Sequence, residues 1–324
     1  VTSAHTIIRS LGRNRISVAI SLLTVVAAAV TLYFVLRDVD FGKVVAALEA
    51  QSPHSIATAG ALVVAGYVTL TFYDFFALRT IGRRTVPFQV AAFASFTSYT
   101  IGHTLGAATL TGGVVRHRIY SVWGLSVLDV AKIAFITGMT FWLGTAFVLG
   151  GAMTYAPDAA GAVDHLPSWI NRLIGLSGLS AIACYLGWLV PRPRTIGYAN
   201  WKIVLPNVRF TLVQIAIGAV DLTLVTLALY TLLPASPPVD FVSVLMIFLT
   251  ATFLGAISHV PGNLGIIEAA LLVGLPQFPK ENLLAALLTF RILYFIIPAC
   301  LAMLVLGLRE LRLVARPTTT SQRS

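Results

Sequence analysis

Polar positions are scarce along this chain and mostly fall between eight apolar stretches. Six of these are long enough to cross a bilayer as helices: 16–36, 56–78, 126–153, 172–190, 209–232 and 283–308. About 20 residues at 1.5 Å each cover the hydrocarbon core. Two more stretches, 88–123 and 241–276, have 36 residues each and are interrupted, by Gly112-Gly113 and by Pro261-Gly262-Asn263-Leu264-Gly265. After its break the second stays apolar only over 266–275, about 15 Å as a helix and too short to span. Each break leads straight to an ionisable residue, Arg116 or Glu268. Inside a bilayer such clusters are tolerated where the freed backbone lines a protein-enclosed cavity. Two breaks in corresponding places of two halves predict a binding site near the membrane midplane.

Charge sets the expected orientation. Arg9, Arg13 and Arg15 precede the first span, and Arg79, Arg83 and Arg84 follow the second. Arg192, Arg194, Lys202 and Arg209 lie between the fourth and fifth, and Arg309, Arg312, Arg316 and Arg323 follow the last. These are 14 of the 22 basic residues. The opposite loops carry Asp38, Asp40, Glu49, Asp158, Asp164, Asp240 and Glu281 against Arg37, Lys43, Arg172 and Lys280. The excess of positive charge on cytoplasmic loops places both termini in the cytoplasm. That parity holds only if each interrupted stretch returns to the side it came from, as a re-entrant hairpin or as a pair of short helices. Residues 1–153 and 172–308 then read as an inverted-topology repeat. At an offset of 152, Gly113 falls on Gly265, Arg116 on Glu268, Asp129 on Glu281 and Thr137 on Thr289. The expected fold is an all-α polytopic membrane protein: one membrane domain over 1–324, six full spans, two re-entrant hairpins and a cytoplasmic tail over 309–324.

Composition agrees. The chain has 324 residues, 57% hydrophobic and 10% charged, with a mean hydropathy of +0.88; soluble domains carry about 25% charged residues. The net charge of +10 is spread between spans, which suits anionic lipid headgroups and argues against nucleic acid. The first apolar stretch runs 21 residues into Arg37, longer than a signal-peptide core, and reads as a retained anchor. Cys184 and Cys300 lack metal-ligand spacing and read as buried structural thiols. Trp123, Trp142, Trp169, Trp188 and Trp201 mostly suit an aromatic belt at the membrane interfaces. The sequence has no phosphate-binding loop, dinucleotide fingerprint, zinc-protease motif or nucleophile elbow. No enzyme activity, cofactor or metal is expected.

Seven charged or titratable residues are candidates for substrate contact: Asp74, His103, Arg116, Asp221, His259, Glu268 and Arg291. The segments after Gly113 and Gly265 are expected to begin helices within the membrane. A helix start leaves about four unpaired N–H groups and binds anions, phosphate included. Arg116 would add planar donors in the first turn, or it simply reaches the cytoplasmic interface beside His117 and Arg118. Glu268 has three readings: an ion pair with Arg291, an ion pair with Arg116 across the pseudo-axis, or a protonated carboxyl. Asp221 sits mid-span with no basic residue one helical turn away. Asp74 lies nearer a helix end, within reach of water. His103 and His259 flank the breaks, where an imidazole either titrates or satisfies freed carbonyls. Asp129 has an ordinary explanation in the capping pattern Ser126-Val-Leu-Asp129, and Glu281 in a helix start.

Several motifs carry a family resemblance. They are Tyr73-Asp74-Phe-Phe-Ala-Leu-Arg79, the run from His103 to Tyr120 with its Gly-Gly-x-x-Arg-x-Arg core, Trp123-Gly124-Leu125-Ser126, the run from Ser258 to Glu268, and Arg291-x-x-Tyr294. Over nearly its whole length the chain resembles the membrane domain of the lysylphosphatidylglycerol synthetase/flippase family and its stand-alone bacterial relatives. Asn263 stands where the family's usual Pro-Gly-Gly-x-Gly string has glycine; asparagine tolerates left-handed backbone, so the turn is expected to survive. The resemblance implies a domain that moves a phospholipid, anionic or aminoacylated, between leaflets. The soluble domain that makes aminoacyl-phosphatidylglycerol has no counterpart here, so translocation without aminoacyl transfer is expected. A transporter of a soluble anion, and a non-transporting scaffold for a separately encoded lipid-modifying enzyme, are the competing expectations. Self-association is also compatible with the sequence.

Overall fold

The computed structural model of the protein describes residues 40–105, 108–190, 194–198, 201–258 and 260–314. The first predicted span, His259 and the tail beyond 314 lie outside the described residues. A short helix, α1 (Phe41–Glu49), is capped by the Asp40 carboxylate, which accepts the Gly42 N–H at 2.9 Å. The long α2 (Pro53–Thr80) opens on proline, whose missing N–H costs nothing in a first turn. Then come α3 (Phe88–Leu105), α4 (Ala108–Tyr120), α5 (Val127–Tyr155), α6 (Pro157–Asp164) and α7 (Ser168–Leu189). After them follow α8 (Val208–Tyr230), α9 (Phe241–Ser258), α10 (Ile266–Gly274), α11 (Lys280–Arg291) and α12 (Ile297–Val314). The last two form one rod joined by a π-helical turn over Ile292–Ile296.

Six of the described helices are long and apolar enough to cross a membrane: α2, α5, α7, α8, α9 and the α11–α12 rod. Five match predicted spans. The sixth, α9, is the first arm of the stretch 241–276, read as a re-entrant hairpin or a pair of short helices, and its 18 residues are long and apolar enough to cross alone. The chain is also not purely helical. Strands β1 (Thr195–Tyr198) and β2 (Trp201–Val204) pair antiparallel, Thr195 opposite Val204 and Tyr198 opposite Trp201. The β-branched and aromatic alternation in this polar stretch favours strand. Ile203 of β2 is buried in a cluster with Ala77, Leu78, Ile119, Leu125 and Ile133, so the hairpin covers one end of the bundle.

Backbones approach where side chains are smallest. A Cβ on Gly144 of α5 would fall 2.6 Å from the Gly218 Cα of α8, and one on Gly175 of α7 would fall 2.6 Å from the Gly150 carbonyl oxygen. Small residues give this kind of van der Waals packing where lipid removes the hydrophobic drive between helices. The Gln214 amide donates to the Thr140 hydroxyl at 2.9 Å, across the α5–α8 contact. α5 begins with the expected capping box: the Asp129 N–H donates to the Ser126 hydroxyl at 3.2 Å and the Ser126 N–H to the Asp129 carboxylate at 3.0 Å. The same carboxylate accepts from Arg83 at 2.8 Å. Cys184 and Cys300, expected inside, are exposed on the outer face of their helices; in a membrane bundle that face meets lipid, where a thiol costs little.

Candidate functional site

Asp74 and Arg116 lie 42 residues apart and meet in the bundle interior. The Arg116 guanidinium donates to Asp74 twice over, Nη2 to Oδ1 at 2.8 Å and Nε to Oδ2 at 3.0 Å. Tyr120 stands one helical turn beyond Arg116, on the same face, and its hydroxyl donates to Asp74 Oδ2 at 2.9 Å. The Tyr99 ring of α3 lies 4.8 Å from the guanidinium carbon, a cation–π contact. Asp74 is fully buried, against the expectation that it reaches water, because α4 closes over it. The pair has a net charge of zero.

Helix α4 differs from its sequence reading. It begins at Ala108 and runs on through Gly112 and Gly113, so Arg116 stands two turns inside the helix rather than at its start. Gly112 serves contact, not a break. A Cβ there would fall 2.9 Å from the Ser98 carbonyl oxygen, so its absence lets α4 lie directly on α3. Gly113 faces open space.

The second break is present as read. Gly262, Asn263 and Gly265 have φ of 58°, 50° and 79°, left-handed values that glycine and asparagine accept most readily. A Cβ on Gly255 of α9 would collide with the Asn263 side chain, so that glycine makes room for the turn. α10 starts at Ile266, and its start is already filled: Glu268 accepts the Gly265 N–H at 2.8 Å. Glu268 also pairs with Arg291 Nε, and Arg291 Nη1 donates to the Gly262 carbonyl at 3.0 Å. Of the three readings of Glu268, the structure forms the pair with Arg291, which ties the loop to the last rod and satisfies a carbonyl freed by the turn. The rod answers with its own irregularity. In its π-helical turn the Tyr294 carbonyl accepts the Tyr67 hydroxyl at 2.9 Å; such turns are frequent at functional sites.

Between these two constructions lies a cavity of about 300 Å³. Tyr73, His103, Arg116, Trp142, Asp221 and Phe295 are among its walls, as are Gly262 and Asn263 of the loop. Asp221 of α8 is 7% exposed and accepts the Tyr73 hydroxyl at 3.1 Å. His103 lies edge-on to Tyr99 at 5.7 Å. Trp142, read as an interface residue, stands in the middle of α5 against Phe253 at 5.5 Å. The cavity thus gathers His103, Arg116 and Asp221; Asp74 stands behind Arg116, and Glu268 and Arg291 hold the loop that forms one wall. Of the aromatic residues at the site, Tyr99 escaped the sequence reading, and Tyr73, Tyr120 and Tyr294 entered it only as parts of the family motifs, not as candidates for contact. Their signal was a tyrosine hydroxyl within an apolar stretch, which needs a partner there.

No protein-family model matches the chain. A protein from Synechocystis sp., named only as uncharacterized protein slr0712, is 36% identical over 262 residues, 79% of this chain and 80% of its own. The inner membrane protein YbhN of Escherichia coli is 31% identical over 295 residues, 88% of this chain and 89% of its own. The chain belongs to the family of YbhN-like inner membrane proteins. Against the phosphatidylglycerol lysyltransferase of Staphylococcus haemolyticus the similarity is partial, 33% identity over 69 residues, 21% of this chain and 8% of that protein. The lysyltransferase resemblance therefore narrows to a relationship between membrane families, whereas YbhN and slr0712 each match over most of their length.

Proposed function

We propose that this protein is a phospholipid translocator of the bacterial inner membrane, with the central cavity as its headgroup site. The single observation behind this reading is an intramembrane cavity whose walls combine Arg116, its charge balanced by Asp74 behind it, a separate carboxylate on Asp221 and several aromatic rings. A polar headgroup finds hydrogen-bond donors and acceptors there, and acyl chains can stay in lipid. The partial similarity to a phosphatidylglycerol lysyltransferase supports a phospholipid as the cargo.

Two features support alternating access by an inverted repeat. Phe241 follows Phe88, Ser258 follows Leu105, and Lys280 follows Val127, each by 153 residues, so α9 repeats the position and length of α3, and α11 begins where α5 would repeat. The order long helix, paired helices, long helix recurs as α2 to α5 and α8 to α12. In the second pair α10 has nine residues, about 14 Å and too short to return across the hydrocarbon, which suits a re-entrant arrangement. With the basic loops in the cytoplasm, both termini lie there. The expected grip on phosphate by two helix starts gives way in this reading. Arg116 is tied to Asp74 and the α10 start to Glu268, so a headgroup meets the Arg116 edge and the aromatic walls instead.

The test is leaflet exchange of labelled and native phospholipids in proteoliposomes. Wild type should exchange them, and Thr252→Trp, which fills the cavity from α9, should slow exchange at least tenfold while remaining folded. Absence of exchange by folded wild type would sink the translocator and favour a transporter of soluble compounds or a scaffold for a separate enzyme.

A further inference from the structure

Three carboxylates lie deep among the described spans and the hairpin between them, and their partners differ. Asp74 holds Arg116, and Glu268 holds Arg291. Asp221 has no cationic partner among the described residues. Its Oδ2 accepts from the Tyr73 hydroxyl, and the carboxylate lines the cavity. A carboxylate taken out of water is neutralised by a paired cation, a bound metal or a proton. The described residues supply no paired cation. A metal ion would require a set of oxygen or nitrogen ligands, and among the described residues no group of three His, Cys, Asp or Glu side chains forms one.

The groups that face Asp221 are phenols. From α2 come Tyr67 and Tyr73; from α3, Tyr99, with His103 beyond it against the same cavity; from the π-helical turn, Tyr294. Arg116 of α4 reaches the cavity with its charge balanced by Asp74. The walls from α5 and α9 include Thr137, Trp142, Phe248 and Thr252 and carry no ionisable side chain. Two of the phenols are already committed, Tyr67 to the Tyr294 carbonyl and Tyr73 to Asp221 itself. The surroundings hold a carboxylic acid comfortably and offer a carboxylate one hydrogen bond.

We propose that Asp221 is a proton-binding site that exchanges with water in the central cavity and couples the protein's conformational cycle to the transmembrane proton gradient. Hydronium on one side gives its proton to the carboxylate, leaving water and a neutral carboxyl. When the cavity opens to the other side, the carboxyl returns the proton to water there. No other bond is made or broken. The coupling half of this proposal rests on the translocator reading; the proton-binding half does not.

The two halves are tested separately. Infrared difference spectroscopy of the purified protein in nanodiscs, stepped across pH, should show a carboxylic acid C=O band that appears on acidification. The band should vanish in Asp221→Asn and shift in Tyr73→Phe, which removes the one hydrogen bond and keeps the carboxyl. Circular dichroism checks that each variant is folded. Should Asp221→Asn fail to fold, Tyr73→Phe decides: a titrating band that it leaves unmoved overturns the site. A band that persists in folded Asp221→Asn overturns it too. In proteoliposomes, wild-type lipid exchange should speed up several-fold when a pH gradient is imposed, and Asp221→Asn should lose that response. Exchange that ignores the gradient in wild type overturns the coupling and leaves translocation standing. A titrating Asp221 band in a protein that exchanges no lipid keeps the proton site and removes the translocator.

Discussion

At Gly112-Gly113 the chain continues as helix, whereas at Pro261 to Gly265 it breaks, although both clusters interrupt stretches of equal length and lead to a charged residue. The difference lies in what each residue forbids. Proline supplies no N–H and fixes φ, and three left-handed residues in the next four cannot stay in a helix. Glycine alone costs a helix about 1 kcal/mol, which packing readily overrides, and Gly112 packs its α-carbon against Ser98. The ion pairs divide along the same line. Asp74–Arg116 joins the long α2 to the unbroken helix α4, deep in the bundle. Glu268–Arg291 staples an irregular loop, its arginine spending one donor on a freed carbonyl. One pair closes an interface and the other maintains a break.

The strongest way to break the comparison is to open the buried pair. Arg116→Ala leaves Asp74 as an unpaired buried charge, and Asp74→Ala does the same to Arg116. Each should cost about 3–5 kcal/mol, seen as a steep fall in thermal stability in detergent or nanodiscs. The double variant should recover part of that loss, because neither charge remains alone; strictly additive losses would show that the pair is not coupled. The glycines give a smaller, sharper contrast. Gly112→Val should cost about 1–3 kcal/mol by forcing α4 off α3, whereas Gly113→Ala, facing open space, should be neutral or stabilise by up to about 1 kcal/mol. Equal effects at the two sites would contradict the packing role of Gly112. The loop gives the smallest difference: Asn263→Ala should be less stable than Asn263→Gly by about 1 kcal/mol, since only the alanine resists positive φ.

Much of this architecture is written in local chemistry. The spans follow from runs of apolar residues, the α5 start from Ser126 and Asp129, and the second break from proline and glycine at adjacent positions. The pairing of Asp74 with Arg116 is not local. It depends on which faces of α2 and α4 meet, and helices that are apolar nearly all round carry little periodicity to announce a face. The same blindness hid the tyrosines around Asp221 and placed both cysteines inside. Gly112 misled for a different reason: glycine signals a turn, a kink or a close contact, and only the neighbouring helix decides among them. The β-hairpin was present as alternation in Thr195-Ile-Gly-Tyr and Trp201-Lys-Ile-Val, within a stretch whose polarity suggested only a loop.

The central claim is that the cavity is the path of the headgroup, and it can be blocked directly. With Cys184 and Cys300 replaced by alanine, a single cysteine at Thr252 can be modified by a bulky maleimide after reconstitution. The account predicts that lipid exchange proceeds before modification and stops after it, with full recovery when the label is on a releasable disulfide instead. Exchange that continues undiminished with the cavity filled would contradict it.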